Sequence, residues 1–95
     1  MIEIVTFQLR KDADPEQFKA FEAKLQTEFY YHQPGLERRT TAGGENQSYV
    51  CILHWDSAAA ADAAATKLLV ANDYADERAA LVDPQSIEAT RYNAL

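Results

Sequence analysis

Four side chains carry most of the chemistry this sequence offers: Tyr49, His54, Trp55 and Tyr74. His54 can exchange a proton near neutral pH, so it is the candidate general base. The three aromatic rings can pack a planar molecule, and their N–H and O–H groups can orient it. Each also has a structural reading. Trp55 would serve as a core anchor needing one partner for its indole N–H. A histidine near a strand end is commonly a hydrogen-bonded rim residue. Tyr74 and the pair Tyr30–Tyr31 could hold a phenolic molecule or close the ends of a core. His32, at the end of a helix, would suit the terminus when protonated.

Other reactive residue types point to structure. Cys51 sits among apolar neighbours and reads as a small buried hydrophobe. Ser57 is better explained as a helix cap than as a nucleophile. Gly43-Gly44 follows a strand but opens no helix, so it marks a turn and not a phosphate loop. Two histidines on different elements and one cysteine provide no metal-ligand spacing. No metal and no bound organic cofactor is expected.

A chain of 95 residues with net charge −6 is expected to form a single domain over residues 1–95. Its acidic residues are dispersed, and Arg38-Arg39 is a pair and not a patch. Binding to nucleic acid or an anionic membrane is therefore disfavoured. No apolar run approaches the ~18 residues of a bilayer span. Met1-Ile2-Glu3-Ile4 has neither the basic region nor the cleavage site of a signal peptide, so the expected compartment is the cytoplasm.

The elements that must position these residues centre on Tyr49–Asp56. As a strand it places Tyr49, Cys51, Leu53 and Trp55 on one face, and Val50, Ile52 and His54 on the other. Both faces are largely apolar, which predicts a central strand. Ile2–Leu9 is a second two-sided strand, with Glu3, Val5, Phe7 and Leu9 opposite Ile2, Ile4, Thr6 and Gln8. Asp14-Pro15-Glu16-Gln17 starts a helix with a cap, an N-terminal proline and a Gln17 that can reach back. Phe18, Phe21, Leu25 and Phe29 form its apolar stripe, and Pro34-Gly35 ends it. Leu36–Ala42 is a polar strand suited to a sheet edge. Gly43–Asn46 turns it back into Tyr49–Asp56.

Asp56-Ser57 caps a second helix over 58–71, rich in alanine and able to lie close to a sheet, with its bulk at Leu68, Leu69 and Val70. Asn72-Asp73-Tyr74 breaks the pattern before a short turn through Ala79–Leu81. Ser86–Tyr92 reads as the last strand. The order β-α-β-β-α-β predicts an α+β, ferredoxin-like antiparallel sheet with the first and third strands central. Helices cover one face only. Ile2, Ile4, Val50 and Ile52, with Ile87 or Ala89 beside them, would lie open on the other. A second copy is the expected cover, giving a homodimer through the helix-free sheet face.

Gln33-Pro34-Gly35-Leu36, the run Tyr49–Ser57, the alanine-rich helix and Leu81–Pro84 together resemble the dimeric α/β-barrel superfamily, nearest its antibiotic-biosynthesis-monooxygenase-like domains. The resemblance spans essentially the whole chain. It implies a small monooxygenase-like protein oxidising an aromatic molecule without a cofactor, a substrate carbanion reacting directly with O₂. The implied pocket is aromatic and polar, for which Trp55, Tyr49 and Tyr74 could serve; His54 is the candidate base from the reading of the residues above. Trp55 matches a pocket tryptophan of haem-degrading relatives. Their first-strand asparagine is matched by Phe7, however, and their late histidine has no counterpart between Leu68 and Leu81; both departures count against haem degradation. The alternative is a non-catalytic binding or stress-associated dimer; a third reading is an isomerase or lactone-processing enzyme using His54. An enclosed cavity with convergent polar groups would favour a ligand site. A cleft filled by Phe7, Phe18, Phe21 and Trp55 would favour the scaffold.

Overall fold

The computed structural model describes residues 1–95, the side chain of Asn72 excepted. The elements are β1 (Ile2–Gln8), α1 (Pro15–Glu28), β2 (Leu36–Gly43), β3 (Ser48–Trp55), α2 (Ala58–Val70), α3 (Asn72–Leu81) and β4 (Glu88–Tyr92), with 3₁₀ turns at Tyr30–His32 and Pro84–Ser86. The strands form one antiparallel sheet in the order β2-β3-β1-β4. The two strands with apolar residues on both faces are the central ones, as the ferredoxin-like reading requires.

Helix α1 starts where its cap and stripe place it but ends at Glu28, short of Pro34-Gly35, with the 3₁₀ turn at Tyr30–His32 in between. Asp14 accepts from the Glu16 N–H at 3.0 Å, and Pro15 occupies the first turn. Phe18, Phe21, Leu25 and Phe29 are all buried against the sheet. Phe7 and Tyr49, paired across the central strands, stack at 5.8 Å, and Phe18 closes on both rings. This end of the core is filled by aromatic side chains.

Helix α2 begins at Ser57, whose hydroxyl accepts from the Ala60 N–H at 3.1 Å. It presents mainly alanine to the sheet: Ala61 and Ala64 are buried, with Leu68 partly so. Leu69 and Val70, expected to supply bulk, are instead 79% and 74% exposed. Their positions turn them away from the stripe 61, 64, 68 that faces the sheet. The expected break at Asn72–Tyr74 is also corrected. The chain bends at Ala71 (ψ 80°) and starts α3 at once, so the short turn is a ten-residue helix. With so little side-chain volume on α2, the space between it and the sheet is not closed.

Strand β4 begins two residues later than Ser86. Its pairing sets Ala89 opposite Val5 and Arg91 opposite Glu3, all on the helix side. Ile87 packs against the core as well. Neither Ile87 nor Ala89 lies on the open face. That face carries Ile2, Ile4, Val50 and Ile52 in the centre, with Thr40 and Thr90 alongside and Arg38, His54, Glu88 and Tyr92 around them. No helix of the protein is long and apolar enough to cross a membrane.

Candidate functional site

The site is built where α2 rests on alanines. A cleft of about 440 Å³ opens between the sheet and the α2–α3 pair, lined among others by Glu3, Tyr30, Trp55, Leu68, Arg78 and Val82. A smaller recess of about 80 Å³ lies deeper, bordered by Arg39, Glu22, Cys51 and the phenylalanines of α1. Glu3, Val5, Tyr30, Leu68, Arg78 and Val82 line both, so the two spaces adjoin.

Trp55 is placed by the chain on either side of it. Its backbone N–H donates to the Met1 carbonyl, and the next N–H, of Asp56, donates to the Gly35 carbonyl; both are 2.8 Å. Gly35 has φ +86°, and a Cβ there would fall 2.6 Å from the Ala60 methyl. A glycine at this position therefore lets the β3–α2 junction close. The indole is 1% exposed, yet its Nε1–H has no acceptor. A buried donor left without a partner costs about 1–3 kcal/mol. Here the residue also borders a cleft.

Arg39 is the second buried donor. On β2 it faces the helices, because it pairs with Leu53. Its guanidinium forms a two-pronged pair with Glu22, at 2.6 and 2.7 Å, and Gln26 and Thr41 complete the cluster. The Tyr30 ring lies 4.2 Å from its central carbon. The Arg39 side chain is 4% exposed, and its Nε–H has no acceptor. Burial works against its charge, but the bond to Glu22 and the surrounding groups prevail, and its pKa is raised. Burial also raises the Tyr30 phenol and the Cys51 thiol; nearby Arg39 acts in the opposite sense on both. All three therefore stay protonated at neutral pH.

Glu3 is the carboxylate of the cleft. Arg91 donates to its Oε2 at 3.0 Å and reaches Asp62 on α2 at 2.8 Å, tying β4 to the helix above. At the far end, α1 and α3 are joined by Lys24–Glu77 at 2.7 Å and by the Tyr74 hydroxyl donating to Glu28 at 3.0 Å.

Of the residues singled out from the sequence, the structure places Trp55 on the cleft. Tyr74 belongs to the α1–α3 seam, against Phe29, with its phenol raised by desolvation and by its bond to Glu28. Tyr49 packs in the aromatic end of the core and borders a separate open groove with Phe7 and Gln8. His54 is on the open sheet face beside Arg38 and Ile2. The four are thus not brought together. Glu3, Arg39 and Arg78 are site residues that no sequence motif singles out. Strand alternation held the signal for two of them: Glu3 shares the core face with Val5 and Phe7, and Arg39 shares it with Thr41. A charged residue on a core face asks for a partner or a ligand. Among the described residues no group of His, Cys, Asp and Glu is arranged to hold a metal ion.

No family model matches the chain, and no curated protein matches it in sequence. Solved structures do match. SnoaB, a cofactor-independent oxygenase from Streptomyces nogalater, aligns at TM-score 0.81 and 23% identity, covering 99% of this chain and 91% of that one. A candidate antibiotic biosynthesis monooxygenase from Nitrosomonas europaea aligns at 0.70 and 15% identity, covering 99% and 88%. Another, from Bacteroides thetaiotaomicron, aligns at 0.67 and 16%, covering 100% and 89%. The chain has the α+β, ferredoxin-like fold of the antibiotic-biosynthesis-monooxygenase-like domains.

Proposed function

We propose that the protein binds a fused-ring aromatic molecule in the cleft and oxidises it with O₂, without a metal or bound organic cofactor. The observation that carries this reading is the unpartnered Nε1–H of Trp55 at a cleft of about 440 Å³ with Glu3, Tyr30 and Arg78 on its walls. The volume falls in the range of small-molecule sites, and an apolar lining with a few polar groups is their usual make-up. Likeness in fold to a cofactor-independent oxygenase supports the reaction class.

In this reaction Glu3 takes a proton from an activated ring CH₂, and Arg78 and Trp55 stabilise the charge that moves to the ligand oxygen. The carbanion transfers electrons to O₂ and a C–O bond forms. The resulting hydroperoxide loses water to leave a ring carbonyl, so one oxygen atom ends in the product and one in water. His54 would enter only through a chamber on the opposite sheet face; Tyr49 and Tyr74 would act as walls and seams rather than ligand contacts.

The proposal includes a homodimer. Ile2, Ile4, Val50 and Ile52 form a contiguous apolar surface that no helix covers, and Arg38 and Glu88 give it rim charges of opposite sign. A second copy of the same face would bury it. The single cysteine, buried and unpaired, accords with the cytoplasm as compartment.

Anthrone, whose ring CH₂ is acidified by flanking groups, tests the reaction. One O₂ should be consumed per anthraquinone formed, and Glu3→Gln should slow turnover about a hundredfold, within the usual reach of a general base. A rate equal to that of buffer alone, across a panel of such substrates, would remove the oxidation. Saturable binding without turnover would favour the second reading, a non-catalytic binding dimer. The filled aromatic end around Phe7, where haem-degrading relatives carry an asparagine, is the feature that speaks for that reading.

A further inference from the structure

We propose that Arg39 is the second anchoring donor of this site and makes it selective for ligands with an oxygen at each end. This rests on the cleft being a ligand site. Trp55 Nε1–H would hold one oxygen in the outer cleft, and Arg39 Nε–H the other in the inner recess.

The geometry that supports it is specific. Nη1 of the Arg39 guanidinium donates to Glu22 and Gln26 and Nη2 donates to Glu22, whereas Nε, buried, has no acceptor at all. The side chain is 96% buried, so bulk water does not satisfy that group. Tyr30 stacks over the guanidinium and also borders the outer cleft, so it forms the common wall between the two donors. The recess is too small for a ring but holds an oxygen substituent or a water molecule.

Charge narrows the class further. Glu3, Glu22, Arg39 and Arg78 line the recess, two of each sign, and Glu22 already neutralises Arg39. A free anion gains little there. A neutral hydroxyl or carbonyl oxygen on a fused-ring skeleton fits the buried Nε–H. Arg39 would act as a positioning residue in turnover: it fixes the ring plane without touching the carbon that reacts.

The test compares 2,6-dihydroxynaphthalene, with oxygens at opposite ends, and 2-naphthol, which lacks one of them. In ¹⁵N-labelled protein the Arg39 Nε–H and Trp55 Nε1–H resonances, assigned through bonds, are followed during each titration. With 2,6-dihydroxynaphthalene both should shift, at a Kd about tenfold lower than that of 2-naphthol, as one added hydrogen bond to a charged donor allows. Arg39→Lys keeps a charge opposite Glu22 but has no Nε–H, and should reduce the preference to about twofold or less. A shift at Trp55 alone, with equal affinities, would overturn the role of Arg39 while leaving the cleft intact, its Nε–H then being satisfied by an ordered water only. No shift at either residue would overturn both. The two wild-type titrations decide the matter even if Arg39→Lys fails to fold.

Discussion

At the residue scale the protein keeps polar groups inside that a purely structural core would avoid. Cys51 illustrates how these groups respond to pH. Burial raises its thiol pKa above the ordinary 9.0, although Arg39 and a bond to Thr41 pull the other way. The folded state therefore holds the thiol proton at a pH where the unfolded chain has released it. The unfolded state then binds fewer protons, so this site's contribution to stability is intact below pH 9 and is lost as pH rises through the folded-state pKa. The slope for one such group is at most about 1.4 kcal/mol per pH unit. Urea unfolding at pH 8 and pH 10.5 should show the stability advantage of wild type over Cys51→Ala shrinking with pH. An advantage that grows would contradict the assignment. Cys51 as a buried small side chain was legible from its apolar neighbours. Its proximity to a buried guanidinium was not, because adjacent Arg38 and Arg39 look alike in sequence and part only when strand parity sends them to opposite faces.

At the element scale the decisive feature is the junction from β3 to α2. Trp55 ends the strand, Ser57 caps the helix, and Gly35 lets the two approach. A β-carbon at Gly35 would meet Asp56 Oδ1 at 2.5 Å and Ala60 Cβ at 2.6 Å, in a backbone conformation that L-residues rarely adopt. Gly35→Ala should therefore destabilise the fold by about 2–3 kcal/mol, from αL strain and displacement of α2. It should also weaken ligand binding, since α2 forms the roof of the cleft. Thermal unfolding measures the first effect and ligand titration the second; a variant indistinguishable from wild type in both would remove this account of the junction. The start and buried face of helix α1 were readable because cap, proline and phenylalanine stripe agree; its end was not, since the α-helix stops at Glu28 and a 3₁₀ turn at Tyr30–His32 leads to Pro34-Gly35. The α2–α3 region was less so. Alanine favours helix without specifying which face is buried, so the bulk at Leu68, Leu69 and Val70 does not say which of them packs inward, and the bend at Ala71 that starts a second helix has no glycine or proline to announce it.

At the scale of the whole molecule, strand order and the one-sided helix layer follow from the two apolar faces of β1 and β3, and both were legible in the alternation. The pocket was not, because its volume arises from the absence of side chains on α2 and from charged groups contributed by β1, β2 and α3. The open face sets the proposed assembly. Sedimentation equilibrium should give twice the 10.7 kDa chain mass. Ile52→Asp, which places a charge in the middle of that face and touches none of the helix-side core, should abolish the dimer; a wild-type chain that sediments at the single-chain mass would contradict the proposed pairing.

The central claim is that the cleft beside Trp55 takes an aromatic ligand, and the sequence permits a direct reading of it. Trp55 is the protein's only tryptophan, so its intrinsic emission reports this one site. Titration with 2,6-dihydroxynaphthalene should quench that emission saturably. In Ala65→Phe, which puts a ring into the cleft from an exposed position on its lining, saturable quenching should disappear. Quenching that rises linearly with concentration, or that is unchanged in Ala65→Phe, would contradict the account.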